Sequence, residues 1–176
     1  MIKTFLILIF VLIAYSYGYG QKDSVLNQPI VDGKSIAGIT LGDSESKIFE
    51  LLGFPDKIES TFDEDVSPSL QNLKFLFYGL DKNIVLFIFT KDKKVEVLQI
   101  IWSGEGTPAY RGKTSKGIGF GDSIENIKKH YGECEMSRDY CWYKKLGISL
   151  GGDKAVMIIT VATSGRELPD YLKSSF

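Results

Sequence analysis

Apolar residues follow two different spacings along the chain, one typical of helices and one typical of strands. Two segments place them three and four residues apart, which predicts a helix buried on one face. These apolar positions are Ile48, Leu51 and Leu52 in the first segment and Ile124, Ile127 and Tyr131 in the second. Each segment precedes runs rich in β-branched and aromatic residues, which indicate strands. The predicted strands are DKIES, LKFLFYG, NIVLFIFTK and KVEVLQIIWS in the first half, and ECEM, YCWYKK, GISLG and AVMIITVAT in the second.

The two helical segments are copies of one another. The sequence GKSIAGITLGDSESKIFELLG (residues 33–53) aligns without gaps on GKTSKGIGFGDSIENIKKHYG (residues 112–132). The copies share most of their glycines, an Asp-Ser pair and a central isoleucine, which indicates a tandem duplication. The pattern therefore predicts an α+β fold of two units, each a helix packed on a four-stranded antiparallel meander. The predicted units span 21–106 and 107–176, and the acidic, polar residues 60–72 are predicted to form a loop.

Both ends of the repeated helix carry residues that specify them. Asp43 and Asp122 are predicted N-caps, because a short carboxylate can accept from the free N–H groups of the first turn. Gly53 and Gly132 stand where a C-terminal cap with positive φ is expected. The Gly-Asp-Ser sequence in each copy is therefore interpreted as the beginning of a helix.

The beginning of the chain has the features of a secretory signal. Lys3 is followed by a mostly apolar run from Phe5 to Tyr15 and then by small residues, which predicts a signal peptide at 1–20. The run is shorter than the about 20 residues of a spanning helix, so no stable membrane span is predicted after cleavage. An uncleaved N-terminal anchor is the alternative. We therefore expect an exported protein, either periplasmic or extracellular.

Cys134 and Cys141 flank a predicted hairpin in the second half. Two nearby cysteines in an exported protein favour a disulfide, and two free thiols are the alternative. With 21 basic and 22 acidic residues, the chain has no basic excess that would favour nucleic acid. One histidine and two cysteines do not make a four-ligand metal site, and no glycine-rich phosphate loop is present. No cofactor and no metal are predicted.

A serine hydrolase is the main catalytic alternative. Ser44 or Ser123 would be the nucleophile, and such chemistry needs a histidine base oriented by a carboxylate. The one histidine, His130, lies at the end of the second helix, and its counterpart in the first copy is Leu51. The duplication thus repeats the serine without a base, which favours a protein that is not an enzyme.

Aromatic residues are the remaining signal for function. One helix per unit covers one face of a sheet, so we expect some aromatic side chains to face outward and contact a partner. Amphipathic rings tolerate partial burial, and the predicted partner-binding residues are therefore Tyr78, Trp102, Trp142 and Tyr143.

The stretch GITLGDS with its following LLGFP resembles the helix signature of the SmpA/OmlA (BamE-like) family of bacterial envelope proteins. The tandem arrangement is similar to the β-lactamase inhibitor protein fold, in which two such units present one concave sheet. The resemblance implies an exported, non-catalytic binding module. We therefore expect an envelope or secreted protein as its partner, recognised by the outer sheet face. A small-molecule carrier with a pocket between the units is a further alternative.

Overall fold

The computed structural model describes residues 24–60, 73–137 and 139–165. The predicted signal peptide and nearly all of the predicted loop at 60–72 lie outside these ranges. Across the described residues, no helix is both long enough and apolar enough to cross a membrane.

Two helices and ten strands make up this part of the chain. The helices are α1 (Glu45–Leu52) and α2 (Ile124–Tyr131). The strands are β1 (Ser35–Ile36), β2 (Ile39–Thr40), β3 (Lys57–Ser60), β4 (Lys74–Asp81), β5 (Ile84–Lys91), β6 (Lys94–Trp102), β7 (Glu135–Ser137), β8 (Tyr140–Tyr143), β9 (Ile148–Gly151) and β10 (Ile158–Ala162). Strands β1 and β2 form a two-stranded sheet, and the other eight form one sheet in the order β3-β4-β5-β6-β10-β9-β8-β7.

The fold-class prediction is wrong. The described chain is mostly β and has one eight-stranded antiparallel sheet, not two helix-on-meander units that each have a sheet. The reason is the pairing of β6 with β10, which runs from Ile158 opposite Ile101 to Ala162 opposite Val97. Both strands are mostly apolar and bury residues on both faces, which favours a position in the interior of a sheet. The division into units at 21–106 and 107–176 stays a prediction.

The residue that caps each helix differs from the predicted one. The Ser44 hydroxyl accepts from the N–H of Lys47, and the Ser123 hydroxyl accepts from the N–H of Asn126. The preceding aspartates bond to the turn before the helix instead. Asp43 accepts from the N–H of Thr40 at 2.9 Å, and Asp122 accepts from the N–H of Gly119 at 2.8 Å. Aspartate therefore closes the turn before the helix, and serine caps the helix itself.

A buried tyrosine holds the other end of each helix. Tyr78 on β4 donates to the carbonyl of Gly53 at 3.1 Å, and Tyr143 on β8 donates to the carbonyl of Gly132 at 3.0 Å. Both glycines have positive φ, as predicted for the C-terminal caps. Burial raises the pKa of both tyrosines, so both hydroxyls stay protonated and can donate.

One acidic residue of α1 is buried against the sheet. Glu45 accepts from the Lys74 ammonium at 2.8 Å and from the Thr90 hydroxyl at 2.7 Å. Burial alone would raise the pKa of Glu45, but these hydrogen bonds and the charge of Lys74 outweigh it and lower the pKa. This network connects the first turn of α1 to β4 and β5.

The predicted disulfide between Cys134 and Cys141 is confirmed. Cys141 lies on β8, and Cys134 directly precedes β7, so the bridge fastens the last strand of the sheet. The Cα atoms of the two cysteines are 5.2 Å apart.

Candidate binding surface

Side chains on the two faces of the large sheet belong to separate apolar clusters. The larger cluster includes Ile48 of α1 and Ile127 of α2, so both helices pack on the same face. Among the described residues, the smaller cluster consists of strand residues, namely Phe89, Val97, Trp142 and Ala162, with Phe75 and Phe87 packed against them. We call the face that carries the smaller cluster, together with Phe77, the helix-free face.

Strand register places the phenylalanines of β4 opposite those of β5. Phe75 pairs with Phe89, and Phe77 pairs with Phe87. Their rings form edge-to-face pairs, with centroids 4.9 Å apart in the first pair and 5.2 Å apart in the second. This is the geometry that aromatic quadrupoles favour. Phe75, Phe77 and Phe87 remain partly exposed.

Polar side chains occupy the centre of the helix-free face. Gln99 on β6 donates to the Thr160 hydroxyl on β10 at 3.1 Å, across the junction between the two halves of the sheet. Both residues are buried. The hydrogen bond satisfies two groups that would otherwise be costly to bury.

Trp142 on β8 carries an unpaired donor. Its side chain is 5% exposed, and its Nε1–H has no hydrogen-bond partner in the part of the chain that the structure describes. A buried indole N–H normally finds an acceptor. Because the Nε1 atom is shielded from solvent, it is an unsatisfied buried donor and not a contact open to a partner.

The structure disperses the four residues that were predicted to bind a partner. Tyr78 and Tyr143 lie on the helix side and are buried, Trp142 is buried on the helix-free face, and Trp102 is partly exposed. Tyr78 and Tyr143 are buried because their hydroxyls hold helix ends, and Trp142 is buried within the smaller cluster. Their role in partner binding stays a prediction. Trp102 instead packs beside Phe120, and its indole donates to the Glu105 carbonyl at 3.2 Å.

Sequence reasoning passed over the phenylalanines that face outward. In LKFLFYG, Phe75 and Phe77 alternate with Leu76 and Tyr78, which belong to the helix side. That alternation places the two phenylalanines on one face, but the run IVLFIF of β5 is apolar on both faces. The sequence therefore left open which face was covered.

The two serines considered as nucleophiles have structural roles. The Ser44 hydroxyl lies 2.9 Å from the Ser46 hydroxyl in addition to its bond with the first turn of α1. His130 Nδ1 lies 2.9 Å from the carbonyl of Asn126 in its own helix. Ser123 and His130 stand at opposite ends of α2, about 10 Å apart along the axis at the rise of an α-helix. That separation does not allow a nucleophile and base to share a proton.

Replacement of the capping serines tests the corrected assignment. Ser44→Ala and Ser123→Ala should each lower the free energy of unfolding by about 1 kcal/mol, because each leaves an N–H of the first turn without its side-chain acceptor. Chemical denaturation of the purified variants measures this change. Glycine at either position should cost only a few tenths of a kcal/mol. If both alanine variants were as stable as the parent, the serines would not be the caps.

A surface hollow lies beside α2, lined by polar and charged residues from Gly121 to Glu133. All of its lining comes from this single helix and its flanking turns, so it is not a pocket between the halves. Among residues 24–60, 73–137 and 139–165, no cluster of three metal-ligating side chains occurs.

No family model matches the chain, and no curated protein matches it. A cysteine-rich secretory protein from Staphylococcus aureus shares 13% identity, with a TM-score of 0.48 over 77% of this chain and 48% of that one. An extracellular SCP-domain protein from Bacillus anthracis shares 10% identity, with a TM-score of 0.46 over 76% of this chain and 46% of that one. The chain spans less than half the length of either structure. The predicted resemblance to the SmpA/OmlA family and to the β-lactamase inhibitor protein is wrong, because no family model matches the chain and the described strands do not form two separate helix-on-meander units.

Proposed function

We propose that this protein is an exported, non-catalytic interaction module whose partner protein binds the helix-free face. The observation that carries the proposal is the pair of edge-to-face phenylalanine contacts on β4 and β5, which leaves three rings partly exposed. Aromatic side chains are the residues that most often dominate the binding energy of protein interfaces.

Rigid placement of these rings favours tight binding. Phe77 and Phe87 stand on paired strands, and both strands are anchored from the other face by fully buried residues such as Leu76 and Ile88. A partner would therefore meet rings that are already ordered, and association would cost little side-chain entropy.

Export is supported by two independent features. The predicted signal peptide precedes the described chain, and the Cys134–Cys141 disulfide is of a kind that persists in oxidising compartments. Both fit a periplasmic as well as an extracellular location, and the partner would then be another envelope or secreted protein.

The serine hydrolase and the small-molecule carrier have weaker support. The hydroxyls of Ser44 and Ser123 are used to cap helices, and His130 lies at the far end of α2. The described hollow lies beside a single helix, whereas a carrier would need an enclosed apolar cavity. Neither alternative accounts for the phenylalanines of the helix-free face.

Capture of the partner from envelope extract and culture medium tests the proposal. The disulfide-bonded protein is immobilised, its partner is identified, and binding of that purified partner is then measured for Phe77→Ser. We expect the dissociation constant to rise by about tenfold or more, because a central aromatic contact is lost.

Phe54→Ser is the matched control, because Phe54 is 83% exposed and lies outside the helix-free face. Its affinity for the partner should equal that of the parent protein. Thermal melting of both variants confirms that each is folded. A partner that binds Phe77→Ser as tightly as the parent protein would contradict the proposal.

A further inference from the structure

Strand β3 is an open edge of the large sheet. Among the described strands its one neighbour is β4, and all four of its residues are exposed. An edge strand presents a row of free backbone N–H and C=O groups, which can pair with another strand. At the opposite edge, β7 is fastened to the sheet by the disulfide, whereas β3 has no such bridge.

The edge also exposes large apolar side chains. Phe54 is 83% exposed and Ile58 is 50% exposed, although most side chains of this size are buried in the described chain. Phe54 packs against Phe49 at the end of α1, with ring centroids 5.3 Å apart. These two exposed side chains lie just before β3 and on it, and they add apolar surface near its open edge.

The duplicated copy shows that this apolar surface is not a requirement of the fold. Phe49 and Phe54 align with Lys128 and Glu133 in the second copy, and those two form an ion pair at 3.9 Å. The same local structure is thus compatible with charged, water-exposed residues at both positions. Phe49 packs against the main core, but the highly exposed ring of Phe54 is not needed to form this local structure.

We propose that β3 pairs antiparallel with β3 of a second copy of this chain, about a two-fold axis that passes through Ile58. The sequence of β3 is self-complementary about that residue. Lys57 of each copy then lies opposite Glu59 of the other, and Ile58 lies opposite its own counterpart.

Charge selects this register among those that the geometry allows. Lys57 and Glu59 share the helix-free face through their pairing with Phe77 and Phe75, and Ile58 lies on the helix side. In an antiparallel pair of strands, residues directly opposite each other lie on the same face of the sheet. A two-fold axis that relates two copies of one strand can therefore pass only through a residue and its own counterpart, not between two neighbouring residues. Centring on Lys57 or on Glu59 places like charges opposite each other, which is destabilising.

Pairing would give new partners to charged groups that make only a weak contact within one copy. Lys57 and Glu59 contact each other within the strand, an exposed ion pair of small value. Across the two-fold axis, each would gain a cross-strand partner, and the Ile58 side chains would be removed from water. The two sheets would continue into one another, with both helix-free faces on the same side.

The proposal concerns β3 alone and does not depend on a partner at the helix-free face. Four residues per strand make a small interface, so we expect a weak dimer with a dissociation constant of about 10–100 µM. Sedimentation velocity over a concentration series of the disulfide-bonded protein measures it. The parent protein should move from one to two copies per particle across the series.

Charge exchange provides the decisive variants. Glu59→Lys places two pairs of lysines opposite each other and should weaken the dimer by about tenfold or more. Adding Lys57→Glu to that variant restores opposite charges and should restore the dimer. Glu135→Lys is the matched control, since it makes the same change on β7 at the other edge, and it should dimerise like the parent.

Three further outcomes would overturn the dimer proposal. A parent protein that stays monomeric at the highest concentration reached would show that β3 does not pair. A Glu59→Lys variant that dimerises normally would place the interface elsewhere. A double variant that stays monomeric while the single variant is monomeric and folded by circular dichroism would show that Lys57 and Glu59 do not face each other. Loss of partner capture with an intact dimer would overturn only the proposed function.

Discussion

Truncation of Leu98 to alanine is expected to lower the free energy of unfolding by about 3–4 kcal/mol while both halves of the sheet still unfold together. Leu98 lies on β6, fully buried, between Ile88 of β5 and Val161 of β10. Removal of a large buried side chain loses its transfer free energy and leaves a cavity. Because the cavity lies where the two halves join, it should destabilise the whole eight-stranded sheet and not one half alone.

Urea unfolding with one tryptophan in each half measures this directly. Trp102 reports on the first half and Trp142 on the second. Leu98→Ala is therefore made in a Trp142→Phe background, which leaves Trp102 as the reporter, and in a Trp102→Phe background, which leaves Trp142. The two transitions should coincide, as expected for one cooperative unit. Leu146→Ala is the control, because Leu146 is partly exposed and its loss should cost less than about 1 kcal/mol. Separate transitions in the two backgrounds would mean that the halves are independent units.

Loss of the disulfide is expected to lower the free energy of unfolding by about 2–3 kcal/mol. Cys134 and Cys141 are separated by 7 positions, and the chain-entropy model assigns that gain to a closed loop of this length. The double variant Cys134→Ser and Cys141→Ser should therefore unfold at lower denaturant concentration. Amide exchange should also show that β7 opens more readily, because the bridge fastens that edge strand.

Reduction of the parent protein is the matched comparison. Dithiothreitol should bring its denaturation midpoint close to that of the double serine variant, and it should leave the variant itself unchanged. A parent protein whose midpoint does not move on complete reduction would show that the bridge contributes nothing to stability.

The duplication predicted the helices well, because each helix is specified by residues within it. Ile48, Ile127 and the two cap glycines are local signals, and the structure places each as expected. The choice between Asp43 and Ser44 as the cap was not decidable from local chemistry, since both side chains can accept from a first turn. The Asp43 carboxylate accepts from the N–H of Thr40 in the preceding turn, so the Ser44 hydroxyl caps the helix.

The single sheet could not be predicted, because it depends on a pairing between residues far apart in the sequence. Nothing within β6 or β10 specifies that Leu98 meets Val161, although the apolar character of both strands showed that each would be covered. The candidate binding surface could not be predicted from the sequence for a related reason. Phe77 and Phe87 become neighbours only through strand register, and amphipathic rings such as Tyr78 were needed for hydrogen bonds inside.

Oxidative footprinting of the captured complex shows which face of the sheet the partner covers. Hydroxyl radicals modify exposed aromatic side chains, so the modification of each residue is compared between the free protein and the complex with its partner. We predict strong protection of Phe77 and Phe87 on the helix-free face and no change at His130, which is exposed on α2. Protection at His130 with Phe77 and Phe87 modified as in the free protein would contradict the account, because the partner would then bind the opposite side of the sheet.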